Sequence, residues 1–542
     1  MLASHVSIAV ALAAALVSAQ QTPAAPPLQH PHETGTPPEQ LGQVSFETTC
    51  DPALHADFNR GVALLHSFWF GASAAAFTAV AEKDPSCGIA WWGVAMSRWG
   101  NPFAPGRPVA SVQQGRDAIA KARAAGARSA RERDFIEAAS ALFTDFEKVD
   151  HRTRITSYER AMERLHQKYP NDREASAFYA LAVNQTALPT DKSYTQQLKA
   201  AAILEELFKE LSDHPGVAHY LIHAYDHPPL AERGLPAARR YAKIAPDAPH
   251  ALHMPSHTFT RVGFWEDSIA TNIASAAAAR KAKSAAETLH ALDYQAYAYL
   301  QTAQDREARR VVSDLEAIFK EVNTAEQYGL AGFYAAAAIP ARFVLERGDW
   351  RGAAALEVRT TPFPFVDAIT HFARTVGAAR SGDAASAKID AQKLGELHAA
   401  LLKSKNDYWA QQVEIQQKVG LARIAFAEAR KDEGVALLQE AAKIEDSTDK
   451  SAVSPGPLAP AREMLGDMLI ELGRPAEALV ELEAVMKKEP NRFRTLYLAG
   501  RAASMSGDQS KAREYSGQLV QMCEKAGADE RPELAEARKL WK

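Results

Sequence analysis

The feature that most constrains this chain is a 34-residue spacing at which small, bulky and helix-ending residues recur. In "REMLGDMLIELGRPAEALVELEAVMKKEP", Gly466, Ala478, Leu482 and Pro490 occupy positions 8, 20, 24 and 32 of such a unit, and the next unit continues in frame with Gly500 and Ala512. Near the other end, "FNRGVALLHSFWFGASAAAFTAVAEKDP" places Gly61, Phe77 and Pro85 at positions 8, 24 and 32. Looser copies end at Pro170 and Pro246. The chemistry of the spacing is direct. Small residues let two antiparallel helices touch, a bulky residue fills the contact, and a proline cannot continue the second helix. No stretch sustains the apolar–polar alternation of a strand.

This is the pattern of a tetratricopeptide repeat. It predicts an all-α, superhelical solenoid of antiparallel helix pairs, a single elongated repeat domain over residues 46–542. A composition of 47% apolar and 24% charged residues suits a folded chain. The net charge of -4, with no basic stripe, argues against a nucleic-acid partner. The chain starts "MLASHVSIAVALAAALVSAQQTPAAPP", where an apolar run to Val17 precedes small residues at the end of a signal peptide spanning 1–19. Residues 20–45 read as a Pro-rich flexible linker. The expected location is therefore periplasmic or secreted, with no membrane span after signal cleavage. In an oxidising compartment Cys50, ahead of the first helix, and Cys87, after its partner, are brought together by antiparallel packing, and a disulfide is expected there.

The histidines carry the chemistry. "HYLIHAYDH" holds His219 and His223, and "HALHMPSHTF" holds His253 and His257, two HxxxH pairs set 34 residues apart. In the repeat frame they occupy positions 5 and 9 of successive first helices, positions that face the inner groove. Residues i and i+4 share a helix face, and neighbouring helices pack about 8–10 Å apart, so both pairs are aimed at one concave patch. The following unit adds His290, Asp293 and Tyr297 at positions 2, 5 and 9. Imidazoles in this arrangement suit one transition-metal ion, Zn, Cu, Fe or Ni, on His219, His223, His253, His257 and His290. Asp226 and Asp293 are candidates to orient the rings, and both, with Tyr297 and the groove-facing His66, are candidates for a ligand site. A polar ligand site without metal and a plain hydrogen-bond network are the alternatives. His214, His227 and His250, beside prolines, read as caps or loop residues.

Beyond the generic repeat, the blocks "LLHSFWFGASAAAF", "DPSCGIAWWGVAMSRWGNP", "HPGVAHYLIHAYDHP", "HALHMPSHTFTRVGFWEDSI", "LHALDYQAYAYLQ" and "SPGPLAPAREMLGDML" resemble a group of exported bacterial tetratricopeptide-repeat proteins. The resemblance runs from about residue 46 to 515 and implies a solenoid outside the cytoplasm with the paired HxxxH blocks as hallmarks. It implies no activity. The one departure is a signal region lacking Lys or Arg before its apolar run. Two readings follow. In the first, a scaffold takes a protein, peptide or small polar ligand in its His-lined groove. In the second, a metal-dependent enzyme uses the His219/His223/His253/His257 cluster. Whether the protein is an enzyme is left open by the sequence, which has no GxSxG elbow, P-loop or HExxH motif.

Overall fold

The computed structural model describes residues 39–542, apart from Pro105, residues 323–324 and residues 528–530. The expected signal peptide and residues 20–38 of the expected linker lie outside the described residues. The rest of that linker is not a tether: the compact unit begins at Gln40. Leu41 is buried, and the Gln43 N–H donates to the Asp213 carbonyl at 3.0 Å. Gly42, at φ +84°, lies so close to Ile244 and that carbonyl that no side chain fits.

All the regular elements among the described residues are helices, and consecutive helices pack as pairs. The repeat frame predicts where they touch. In the first pair, His55–His66 against Phe70–Lys83, a Cβ on Gly61 would stand 3.0 Å from the Phe77 ring. In the pair Ala461–Glu471 and Pro475–Lys488, a Cβ on Gly466 would stand 2.7 Å from Leu482 Cγ. In the next pair, one on Gly500 would stand 2.7 Å from Ser516 Oγ. Positions 8 and 24 are thus the contact that sets each hairpin, and the fold is a tetratricopeptide-type solenoid. At its start, Cys50 and Cys87 form a disulfide with a Cα–Cα distance of 4.9 Å.

The histidine-bearing helices begin on proline. Pro215–Tyr225 has Pro215 in its first turn, and the His214 ring caps it by accepting the Val217 N–H at 3.2 Å. The following unit is broken: Pro249–His253 and Pro255–Arg261 are separate helices with Met254 between them, because Pro255 has no N–H to continue the ladder. Trp265–Lys281 completes that unit, and Ala285–Gln301 opens the next.

The superhelix curls onto itself. Trp265 Nε1 donates to the Asn491 carbonyl at 2.8 Å, and Asn491 Nδ2 donates to the Gly263 carbonyl at 3.2 Å. The segment 447–460, between the helices Lys431–Asp446 and Ala461–Glu471, enters the concave side. Lys192 and His227 hold its Asp449, at 2.8 and 3.0 Å. The fully buried Arg342 bonds Asp293 at 2.8 Å, Ser454 Oγ at 3.0 Å and the Gly456 carbonyl at 3.0 Å. Arg342 lies on Gln327–Glu346, a helix long and apolar enough to cross a membrane but mostly buried in the protein. Among the described residues the groove is therefore filled, not open.

Two outcomes check this account. Replacing Gly466 by Val forces a branched side chain into Leu482 and should cost about 1–3 kcal/mol, read as a lower denaturation midpoint. Reducing the Cys50–Cys87 bond, which spans 37 residues, should cost about 3–4 kcal/mol in the same measurement if chain entropy dominates.

Candidate metal centre

The two HxxxH pairs do converge, and each adopts the same contact. His219 Nε2 stands 3.1 Å from His223 Nε2, and His253 Nε2 stands 3.1 Å from His257 Nε2. His290 joins the second pair, its ring 4.3 Å from that of His253. His250 joins the first, its ring 5.1 Å from that of His219. In each triad, His219–His223–His250 and His253–His257–His290, one nitrogen from every ring lies within 4.8 Å of the others. The sequence suggested one ion on His219, His223, His253, His257 and His290. The geometry gives two groups of three instead.

Burial works against the charged form of five of these rings. Burial, then the neighbouring rings, holds His219, His223 and His253 well below the ordinary histidine value. Burial lowers His290 to about 3. Burial also lowers His257, although Asp226 opposes it. Each of these five rings therefore carries one proton, and its hydrogen-bond partners determine where that proton sits.

For the second triad the positions are fixed. Asn272 Nδ2 donates to the Ser268 carbonyl at 2.7 Å, which turns Asn272 Oδ1 towards His253 Nδ1, 2.7 Å away. His253 Nδ1 is therefore the protonated nitrogen. His257 Nδ1 lies 2.9 Å from Asp226 Oδ2. Burial works against a charge on Asp226, but Lys450, Arg261 and His257 outweigh it and hold the carboxyl well below the usual range. As an ionised acceptor it takes the His257 Nδ1 proton. Both Nε2 atoms are then bare lone pairs, 3.1 Å apart, with no hydrogen between them. Two facing lone pairs repel unless a cation sits with them. A bound carboxylate or amide on the far nitrogen of each ring is also the usual partner of a metal-ligating imidazole.

A third buried group, His66, Glu174 and His214, shows the contrast. Glu174 accepts from His66 Nε2 at 2.9 Å and from His214 Nε2 at 3.0 Å. His66 Nδ1 then accepts from the Tyr220 hydroxyl at 2.8 Å, and His214 Nδ1 caps its helix. Every contact has a proton, so this is a structural network.

The remaining expected site residues divide accordingly. His66 is fully buried in that network rather than facing a ligand groove, and its backbone carbonyl accepts from His219 Nδ1 at 2.6 Å. Asp226 orients His257, as its position suggested. Asp293 and Tyr297 do not extend a ligand surface. Asp293 is bound to Arg342, and the Tyr297 hydroxyl accepts from the buried Arg492 at 2.8 Å. His214 is a cap and His227 a loop anchor, in keeping with their neighbouring prolines. His250 is the exception, a triad member whose two ring nitrogens make no hydrogen bond. Asn272 and Tyr294 also escaped notice. The Tyr294 hydroxyl, 3.4 Å from His257 Nε2, donates to loop carbonyls of 447–460. That loop's other face borders a cavity of about 100 Å³ walled by Phe365, Trp409 and Lys488.

In metal-free protein kept in chelator, stability should fall as pH drops below about 6.5. The unfolded histidines take up protons near that value, whereas the folded ones resist until a lower pH. The stabilisation is present above the unfolded value and lost on acidification. Each protonating ring should contribute a slope of about 1.4 kcal/mol per pH unit, read from urea midpoints between pH 7.5 and 5.

No protein-family model matches the chain, and no curated protein matches it. Among solved structures the chain is similar to the human IFIT1 dimer with m7Gppp-AAAA, at 10% identity over 80% of this chain and 90% of that one, with a TM-score of 0.39. It is also similar to the human IFIT1 dimer with PPP-AAAA, at 11% identity over 88% and 96% of the two chains, again with a TM-score of 0.39.

Proposed function

We propose that this protein is an exported helical-repeat scaffold that binds a transition-metal ion through His253, His257 and His290. The observation that carries the proposal is the 3.1 Å contact between two Nε2 atoms whose protons are both committed elsewhere. An all-imidazole donor set favours Zn, Cu, Fe or Ni over Mg, Ca or Mn. Three protein ligands leave a further coordination position for water or a small polar ligand. A metal ion in such a site supplies Lewis acidity to a bound carbonyl or to water. The chain's part is to hold the rings through Asn272 and Asp226 and to exclude bulk solvent with segment 447–460. This supports the scaffold reading, with the metal-dependent enzyme as its alternative. Export rests on the leader-like 1–19 segment, and the Cys50–Cys87 disulfide is in keeping with an oxidising compartment.

The test is elemental analysis of tag-free protein beside a His253→Ala/His257→Ala variant, with folding checked by circular dichroism. Near-stoichiometric Zn, Cu, Fe or Ni in the parent, lost at least tenfold in a folded variant, is the expected result. A parent that carries no metal and takes up none when supplied with it sinks the proposal.

A further inference from the structure

We infer that a second metal ion is held by His219, His223 and His250, so that the two triads form one two-ion, six-imidazole centre. The inference rests on the first triad being a metal site, and it adds a site with its own ligands. His219 Nδ1 donates to the His66 carbonyl at 2.6 Å, which leaves His219 Nε2 as a bare lone pair. That lone pair faces His223 Nε2 at 3.1 Å, the same separation as in the pair 34 residues further on. Without an ion His223 closes this contact by donating its Nε2 proton, and the tautomer with the proton on Nδ1 instead presents Nε2 as a ligand.

His250 is the independent observation. Its side chain is only 11% exposed, and neither ring nitrogen, both shielded from solvent, makes a hydrogen bond. A polar ring shielded from water with no hydrogen bond at either nitrogen is costly to bury, a cost that a ligated ion would offset. Its Nδ1 lies 3.5 Å from Glu287 Oε2, a carboxylate placed to orient the ring and balance charge. Phe68 and Phe103 pack against this triad, Phe103 tilted against His223 at 4.3 Å and Phe68 stacked on His250 at 5.5 Å.

The two triads lie side by side. Ring centroids are 6.0 Å apart for both His223 to His257 and His250 to His253. Each triad offers three imidazole nitrogens and leaves open positions. Two ions in adjacent triads would share a small oxygen ligand, hydroxide derived from water, in the manner of two-metal sites.

Copper(II) is the probe, because its electron paramagnetic resonance reports on neighbouring ions. Chelator-stripped protein is dialysed against Cu(II), freed of excess, and measured for copper per chain and for signal per copper. Two ions per chain are expected, with a signal well below that of two isolated ions. The His250→Ala variant should halve the copper and restore a full mononuclear signal, and His290→Ala should also lose one ion. If His250→Ala fails to fold by circular dichroism, His223→Ala takes its place. One ion in the parent, unchanged in the His250→Ala variant, overturns the second site and leaves the first triad standing. No copper in the parent overturns both. Two ions with full uncoupled signal refute the paired centre.

Discussion

The structure depends on helices that touch through glycine. At Gly61, Gly466 and Gly500 the space a Cβ would need is already taken by the partner helix. This close approach fixes the angle within each hairpin and, repeated along the chain, the curvature of the solenoid. Curvature has a chemical consequence here. It brings the first helices of successive units side by side with their positions 5 and 9 in line. Two histidine pairs separated by one repeat length therefore arrive next to one another instead of on opposite sides of the molecule.

A curled solenoid must still fill its interior, and this one does so with polar groups in pairs. Arg342 with Asp293, Arg492 with Glu346 and Glu463, and Arg261 with Asp226 are all buried ion pairs. Such pairs gain little net stability, because desolvation of both charges cancels most of their attraction, but an unpaired member would be costly. Their effect is positional. Arg342 and Lys450 fix the segment 447–460 over the histidines, and Arg261 fixes the carboxylate that sets the His257 tautomer. The apolar lid of Phe68 and Phe103 completes a dry environment in which imidazoles stay neutral and so remain available as ligands.

The histidine clusters show why hydrogen-bond bookkeeping separates a ligand set from a structural network. His66, Glu174 and His214 are as buried as the triads, yet every close contact among them has a donor and an acceptor. The His253–His257 contact has two acceptors. Burial is alike in the two cases, and the difference lies in where the carboxylate sits: Glu174 lies between its rings, whereas Asp226, with Asn272, sits on the far side of theirs.

The repeat was legible in the sequence because its signals are local: a glycine and a bulky residue 16 positions apart, with a proline at the end, as in Gly466, Leu482 and Pro490. The convergence of the HxxxH pairs was legible for the same reason, since a fixed period and a fixed helical face decide direction. What the spacing did not determine is what else reaches that face. His250 looked like a loop residue beside Pro249, but the break at Pro255 leaves it on a separate short helix, whose position against His219 is set by packing. Asn272, Tyr294 and the loop at 447–460 come from other helices or from about 200 residues away, and chain separation carries no information about such contacts. His66, Asp293 and Tyr297 were expected at groove positions facing a ligand, but they meet Glu174, Arg342 and Arg492 instead. The sequence by itself determined the helix-pair solenoid and the aim of the histidines, because both follow from local periodicity. Only the tertiary structure decided that the six rings form two triads under a closed lid, because ring tautomers and burial depend on partners that the fold alone brings together.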